Sequence, residues 1–365
     1  MAVRSERFRC IQVSKSDGES MRRALAEAGA LQRDAVIQRD ADYLYLPVKH
    51  VAHIEDSFPD LDVEVQHREF ERRIEPSFDE ILGFTPSYEV IGNIAIIDAD
   101  DPPDTKRIAD AILLLHKNVR TVLAALTDVQ GEFRTRDFRV IAGKPDTETV
   151  HKEYGCRYEI DLARVYFTPR LATERKRIAD QIHETDVVVD MFAGVGPFSI
   201  LIAKSARYVI AIDKNPVAIE YLGRNARLNA VNNMKIIRGD VRDISKDLHC
   251  TADHIIMNLP HSAHEFLDVA LTIIKPGGTI HYYDIRPEDN LFEGAQEMIE
   301  HAAEACGMTA HILNQQVVRS YSPHQSNVAL DVSIDFFTKN RVKTALRVGL
   351  AIYFFVIRVG NAPRG

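Results

Sequence analysis

Short apolar runs alternate with amphipathic stretches through the second half of this 365-residue chain. Asp186–Asp190 (DVVVD), Tyr208–Asp213 (YVIAID), Lys235–Arg238, His254–Asn258 (HIIMN) and Thr279–Tyr283 have strand length and are rich in β-branched residues. Such runs predict strands buried on both faces. Pro216–Asn229 and Ala263–Leu271 lie between them and carry helical spacing. The alternation predicts a doubly wound α/β sheet over 166–338, with Lys275–Gly278 (KPGG) as a turn.

Upstream the pattern is more mixed. Met21, Leu25, Ala28 and Leu31 give Ser20–Leu31 a helical stripe, and Tyr43–Val48 reads as a strand. Gln66–Pro76 (QHREFERRIEP) is almost wholly polar and reads as a linker or an exposed helix. Beyond it, Glu89–Ile97 is strand-like, Thr105–Asn118 helical and Val119–Leu126 a strand. Phe138–Ile141 and Tyr158–Leu162 are further strands, and the polar Asp146–Tyr154 reads as a loop. The expected organisation is a small domain at 1–65, a linker at 66–76, an α+β domain at 77–165, the α/β domain at 166–338 and a tail at 339–365. The tail holds one apolar run, Val348–Ile357, too short for the roughly 20 residues of a membrane span. No membrane association is expected.

Charge refines this picture. The net charge of −8 argues against a nucleic-acid binder, yet affinity for phosphates follows local charge. Arg134–Arg177 holds 11 Lys/Arg against 7 Asp/Glu, a basic stretch in an acidic protein. It is either a solvated surface or an RNA-facing one. Cys10, Cys156, Cys250 and Cys306 form no CxxC pair and no zinc spacing, so free thiols and no metal are expected. Met1–Arg9 has no apolar h-region, and a cytoplasmic location is expected.

The chemistry concentrates at the ends of the predicted strands. Asp190–Ser199 reads DMFAGVGPFS, where Gly194 and Gly196 let backbone approach a ligand. There is no third glycine, so the dinucleotide fingerprint is not met. The next strand ends in Asp213 (AIDKNP), a carboxylate able to accept from ribose hydroxyls. The third ends in Asp240 (GDVRD), placed to accept from an adenine amino group. The fourth ends in Asn258-Leu259-Pro260. Any one of these acids would be read as a helix cap. Four polar strand ends in succession point to a ligand site at the carboxyl edge of the sheet.

DMFAGVGPFS, AIDKNP, GDVR and NLP in this order resemble class I methyltransferases. More narrowly, the chain resembles the archaeal/eukaryotic tRNA (guanine-37 N1)-methyltransferase family. GEFRTRDFRVIAG (131–143), TVHKEYGCR (149–157), DLARVYFTPRLATERKRI (161–178), MNLPHSAHEFLD (257–268), GGTIHYY (277–283) and VVRSYSP (317–323) carry that resemblance. SDGESMRRALAEAGAL and DYLYLPV resemble the small tRNA-binding domain of the longer archaeal form. The resemblance covers about 1–338. It implies a Rossmann-like methyltransferase domain preceded by two smaller α+β domains, S-adenosylmethionine as cofactor, and tRNA with guanine at position 37 as partner. A monomer is expected.

The resemblance also implies roles. Methylation at guanine N1 requires a proton to leave, and charge then grows toward O6. Glu174, flanked by Arg170, Arg175, Lys176 and Arg177, corresponds to the proposed general base. Arg134 corresponds to the group that holds O6, and Asn258 and Pro260 to the NLP motif that positions the base. Tyr166, Arg175, Asp190, Phe192, Gly194, Gly196, Asp213, Lys214, Asp240, Val241 and Asn258 correspond to the cofactor site. An amino-methyltransferase would carry Asn/Asp-Pro-Pro-Tyr/Phe where this chain has Asn258-Leu259-Pro260-His261. A cytosine-C5 enzyme would need a cysteine nucleophile near Asn258. Two alternatives stay open: aminocarboxypropyl transfer from the same cofactor in wybutosine synthesis, and a non-catalytic tRNA-binding protein.

Overall fold

A computed structural model of the chain describes residues 2–49, 64–74, 76–98, 104–127, 129 and 131–336. The tail 339–365 lies outside them. Packing divides the chain into two units, residues 1–86 with 107–117, and 87–106 with 118–365.

In the first unit, β1 (Ala2–Ser14), helix α1 (Gly18–Glu27), β2 (Gln38–Arg39), β3 (Tyr43–Val48) and β4 (Glu64–Ile74) follow in order. The strands form one antiparallel sheet, ordered β2-β3-β1-β4. Met21 and Leu25 of α1 pack on Ile11, Val13 and Leu46. Strand β4 corrects the expected linker at 66–76. It pairs with β1 from Gln12↔Glu64 to Ala2↔Ile74, so the expected boundary at 65 falls inside the sheet. Phe70 alone in its central stretch is fully buried, and charged side chains suit an unpaired sheet edge. One apolar residue among charges carries too little alternation to read as a strand. Helix α2 (Phe78–Leu82) opens on a capping box, with Ser77 Oγ accepting from Glu80 N–H and Glu80 Oε2 from Ser77 N–H. Helix α3 (Thr105–Leu115) lies largely in this unit.

The second unit begins with β5 (Glu89–Ile91), β6 (Ile94–Asp98), β7 (Thr121–Ala125) and β8 (Phe138–Gly143), ordered β5-β6-β7-β8. The single strand expected at Glu89–Ile97 is a hairpin that turns at Gly92-Asn93, where Thr149 Oγ1 accepts from Asn93 N–H. Next, β9 (Glu148–Glu153) and β10 (Cys156–Asp161) pair antiparallel, so the loop expected at Asp146–Tyr154 is mostly strand. Its inward residues are Thr149, half-buried His151 and Glu153, and apolar Val150 faces out. That inverts the usual reading of a strand.

The seven-stranded sheet follows. Its parallel strands are β11 (Val187–Asp190), β12 (Tyr208–Asp213), β13 (Met234–Arg238), β14 (Ala252–Met257) and β15 (Ile274–Pro287). A hairpin of β16 (Met308–Ser322) and β17 (Gln325–Phe336) adds antiparallel to β15. The order is β13-β12-β11-β14-β15-β17-β16, and it reverses between β11 and β14. Adjacent residues of one strand bury opposite faces. Val188, Val209 and Ile256 join one core cluster, and Val189, Ile210 and Ile255 the other. Each such burial stabilises by about 1.5–3 kcal/mol. Helices α4 (Ala172–Ala179), α5 (Pro197–Ile202), α6 (Pro216–Leu228), α7 (Val241–Ile244), α8 (Leu267–Ile273) and α9 (Glu293–Ala305) complete the doubly wound Rossmann-like domain. No described helix is long and apolar enough to cross a membrane. All four cysteines are free thiols, and no described cluster has metal-binding composition.

Candidate active site

The crevice sits where the strand order reverses, at the carboxyl ends of the parallel strands. After β11 the chain turns sharply, with Met191 N–H donating to Ile256 C=O and Ala193 N–H to Ile212 C=O. Gly194 stands in the left-handed region at φ +56°, and no atom lies within 4 Å of where its Cβ would be. The backbone there faces open space in which a ligand can approach. Its N–H donates to Asp213 Oδ2 at 2.7 Å, and Asn215 N–H donates to Asp213 Oδ1 at 2.8 Å. Burial raises the Asp213 carboxyl above its ordinary value, and those N–H donors partly offset the rise. Asn215 in turn caps α6 by accepting from Val217 N–H.

Asp240 caps α7, accepting from Arg242 N–H at 3.0 Å, so the capping role is real. It also lines the cavity, with Oδ2 3.5 Å from Arg242 Nη1. Phe192 and Phe266 meet edge to face at 5.0 Å and, with buried Val241, give an apolar wall. Asn258 follows β14, and among the described residues its amide has no protein partner. The loop behind it is fixed by Ile285 N–H donating to Pro260 C=O.

The cavity holds about 240 Å³ and runs from Gly239–Asp240 past Met191–Gly194 to Asn258–Pro260, and on to the β16–β17 hairpin. Arg134 reaches it from the turn before β8. Its φ of +54° is a strained conformation for a non-glycine residue, of the kind that persists where surroundings enforce it. Its guanidinium stands 4.7 Å from the Tyr166 ring centre, and its Nε is buried without a partner.

Of the residues expected at the site, Arg134, Tyr166, Arg175, Phe192, Gly194, Asp213, Lys214, Asp240, Val241, Asn258 and Pro260 line this cavity. Three do not. Gly196 caps α5 at φ +87°, and a Cβ would fall 2.2 Å from Leu222 Cδ1, so packing requires the glycine. Asp190 is buried beneath the turn and accepts from Ser199 Oγ at 2.6 Å. Burial pushes its carboxyl up to about 7.

Glu174 lies behind the lining, in a network of its own. It is 4% exposed, and both carboxylate oxygens are engaged. Arg177 donates to them at 2.8 and 2.9 Å, Tyr283 OH to Oε1 at 2.8 Å, and Gln316 Nε2 to Oε2 at 2.6 Å. Arg177 also pairs with Asp331, which accepts from His281 Nδ1 at 2.7 Å. Arg175 lines the cavity, but its guanidinium is taken by Glu153 at 2.6 and 2.7 Å and by Thr168 C=O. Its Nε and Nη2 are thus held by protein groups, which fixes the guanidinium in the wall.

Sequence reasoning missed Arg319, Tyr321 and Asn327 of the hairpin, which close the far end. The VVRSYSP run contains two of them and was the available signal. Antiparallel strands appended to a parallel sheet carry no βα punctuation that would bring them to the crevice.

Comparison with known proteins fits this geometry. Residues 149–311 match the TRM5/TYW2 methyltransferase domain, 10–56 the tRNA methyltransferase 5 N-terminal domain and 78–147 the TYW2 N-terminal domain. The chain is 44% identical to the tRNA (guanine(37)-N(1))-methyltransferase Trm5b of Pyrococcus abyssi, over 89% of this chain and 99% of that protein. A solved complex of aTrm5 with tRNALeu superposes with a TM-score of 0.65 at 37% identity, covering 89% of this chain and 99% of that one. A Methanocaldococcus jannaschii tRNA(Phe) (4-demethylwyosine(37)-C(7)) aminocarboxypropyltransferase is 35% identical, over 68% of this chain and 98% of that protein. Fold and crevice define a class I methyltransferase. The chain belongs to the TRM5/TYW2 family and carries the Trm5 form of the N-terminal domain.

Proposed function

We propose that this protein transfers the methyl group of S-adenosylmethionine to N1 of guanine-37 in tRNA. The observation that carries the reading is end-to-end likeness to Trm5b, whereas the aminocarboxypropyltransferase relative corresponds to only 68% of the chain. The crevice fits the cofactor. It offers a ribose-accepting carboxylate, Asp213, on the strand beside the Gly194 turn, and an apolar wall with Asp240 at its rim. When bound, S-adenosylmethionine supplies a methyl group activated on a sulfonium.

The chain's own residues do the rest. Asp213 and Asp240 hold the adenosine end. The free amide of Asn258, on a loop pinned through Pro260, orients the acceptor base. Arg134 donates to O6 as negative charge develops there. Glu174 takes the N1 proton. Its neighbours Arg175 and Leu171 line the cavity, so the carboxylate reaches the acceptor by giving up Tyr283 and Gln316. Catalytic hydrogen bonds often form only once substrate binds. The N-terminal sheet grips tRNA away from the anticodon, and the chain acts as a monomer. Because β4 belongs to that sheet, the truncation that tests the grip leaves 77–365. It should raise KM for tRNA more than it lowers kcat, and an unchanged KM would exclude the grip.

The deciding experiment incubates the protein with labelled cofactor and unmodified tRNA, then identifies the nucleoside after digestion. 1-Methylguanosine at position 37 is expected. An aminocarboxypropyl product, or a methyl on another atom, overturns the reading.

A further inference from the structure

The charges around the cavity do not balance, and the imbalance lies at one end. At the cofactor end each charged group has a partner. Lys214 Nζ meets Glu132 at 2.5 Å, Asp240 lies 3.5 Å from Arg242, and Asp213 accepts two N–H groups. At the far end stand Arg134 and Arg319. Neither has an ion pair or side-chain hydrogen bond among the described residues, and the Nε of each is buried without a partner. Arg319 stands directly across the hairpin from Asn327, which is 2% exposed and whose Oδ1 also lacks a partner. Among the described residues, no carboxylate lines that end. Its other polar neighbour is His261, whose Nε2 is 3.0 Å from Tyr321 OH. Burial, and then the Arg134 charge, push His261 below its ordinary value, which favours its neutral form, and an imidazole carries no negative charge in either form.

Half-burying a guanidinium without an anion is costly. The base edge can occupy one guanidinium, Arg134, as charge develops on O6, but a base carries no net charge at rest and leaves the second without an anion. The cofactor does not offset it either: its sulfonium and ammonium outnumber its one carboxylate, so its binding adds positive charge. A phosphodiester supplies a full negative charge and matches the guanidinium fork.

We infer that Arg319 binds a backbone phosphate of the RNA beside the target nucleotide, leaving Arg134 for the base. This rests on the proposed tRNA substrate. The contact places the strand in register against Asn258 and carries no sequence information itself.

The salt dependence of tRNA binding tests it. Each phosphate neutralised releases counterions, and the slope of log K against log salt steepens by about 0.7 for a single strand. Arg319→Gln should weaken tRNA binding roughly tenfold or more at low salt, make that slope shallower by about 0.7, and leave the S-adenosylmethionine Kd, measured without RNA, unchanged. Arg319→Lys, which keeps the charge, should keep most of the slope. An unchanged slope in the Gln variant overturns the inference. So does a weakened cofactor Kd with normal tRNA binding, which would assign Arg319 to the methionine carboxylate. Product formation by the wild type on the same tRNA separates the two levels. Wild-type 1-methylguanosine with an unchanged slope sinks this inference alone, and absence of that product sinks the proposed function with it.

Discussion

Two groups of charged side chains, one centred on helix α4 and one at the hairpin end of the cavity, are built on opposite principles. In one, Glu174, Arg177, Asp331 and His281 are linked by hydrogen bonds of 2.5 to 3.1 Å, and the two carboxylates and the imidazole are all under 5% exposed. None of the four lines the cavity. In the other, Arg134 and Arg319 line the cavity and have no anion. A saturated buried network positions the elements that carry it. Unsatisfied guanidiniums beside open space mark where a charged ligand completes the site. Sequence alone cannot separate the two, since Arg177 and Arg134 both read as arginines of one basic stretch and nothing in the sequence shows which has a buried anion beside it.

The sharpest way to break this comparison is at Glu174, which the proposed mechanism needs in both roles. Glu174→Gln keeps the shape but cannot accept a proton. The expected result is a kcat lower by about 10²–10⁴-fold, with cofactor affinity unchanged. Single-turnover rates would read this directly. A variant that keeps its rate but melts earlier would place Glu174 wholly in the saturated network, with the proton leaving by another route.

Asp331 tests the network without touching the cavity. Burial would raise its carboxyl, but His281 and Arg177 together hold it well below the usual carboxylate range. Asp331→Asn removes that charge and leaves Arg177 and His281 short of a partner. Breaking a buried pair costs about 3–5 kcal/mol, which urea denaturation would register, and the cofactor Kd should not move. Arg134→Gln should behave oppositely, costing little stability or adding some. Equal losses in the two variants would erase the distinction drawn between the clusters.

How much of this was legible follows from where the signal lies. The parallel sheet was readable because runs such as VVVD and YVIAID are apolar on both faces and end in turn residues. Strands β4 and β9 were not, because a polar strand is held by its partner's backbone and its inward side chains are Phe70 alone among charges in one and polar throughout in the other. That Asp213 and Asp240 line one crevice was readable from their place at strand ends. Gly196 and Asp190 sit in the same motif yet serve packing, and spacing cannot distinguish a glycine that admits a ligand from one that admits Leu222. Arg319 and Asn327 face each other only after the hairpin pairs.

Asp190 gives a smaller, pH-resolved effect. Its folded value of about 7 lies above the ordinary carboxyl value of 3.8, so the folded state keeps a proton that the unfolded chain releases between them. The stability this group contributes is therefore present below about pH 4 and lost as pH rises toward 7. Asp190→Asn cannot titrate. Between those pH values the wild type should lose a few kcal/mol more stability than the variant. Parallel stability curves would mean that the buried carboxylate is already ionised at low pH.

The finest effect belongs to Asp213, where the saturated and unsatisfied patterns meet in one side chain. Two lone pairs are spent on Gly194 and Asn215 N–H groups, which fix the carboxylate, and the others face the cavity. Asp213→Ala should weaken S-adenosylmethionine binding by about 1.5–3 kcal/mol, the worth of hydrogen bonds to a charged group. The strands beneath do not need it, so the melting temperature should change little. Ribose hydroxyls donate best to the ionised form, and burial raises this carboxyl. Wild-type affinity should therefore weaken as pH falls toward that raised value, while the Ala variant shows a flat profile. Calorimetry across pH measures both. An Ala variant with wild-type affinity would remove Asp213 from the ligand, and one that follows the wild-type pH profile would assign the titration to another group, with Asp190 directly beneath the same turn.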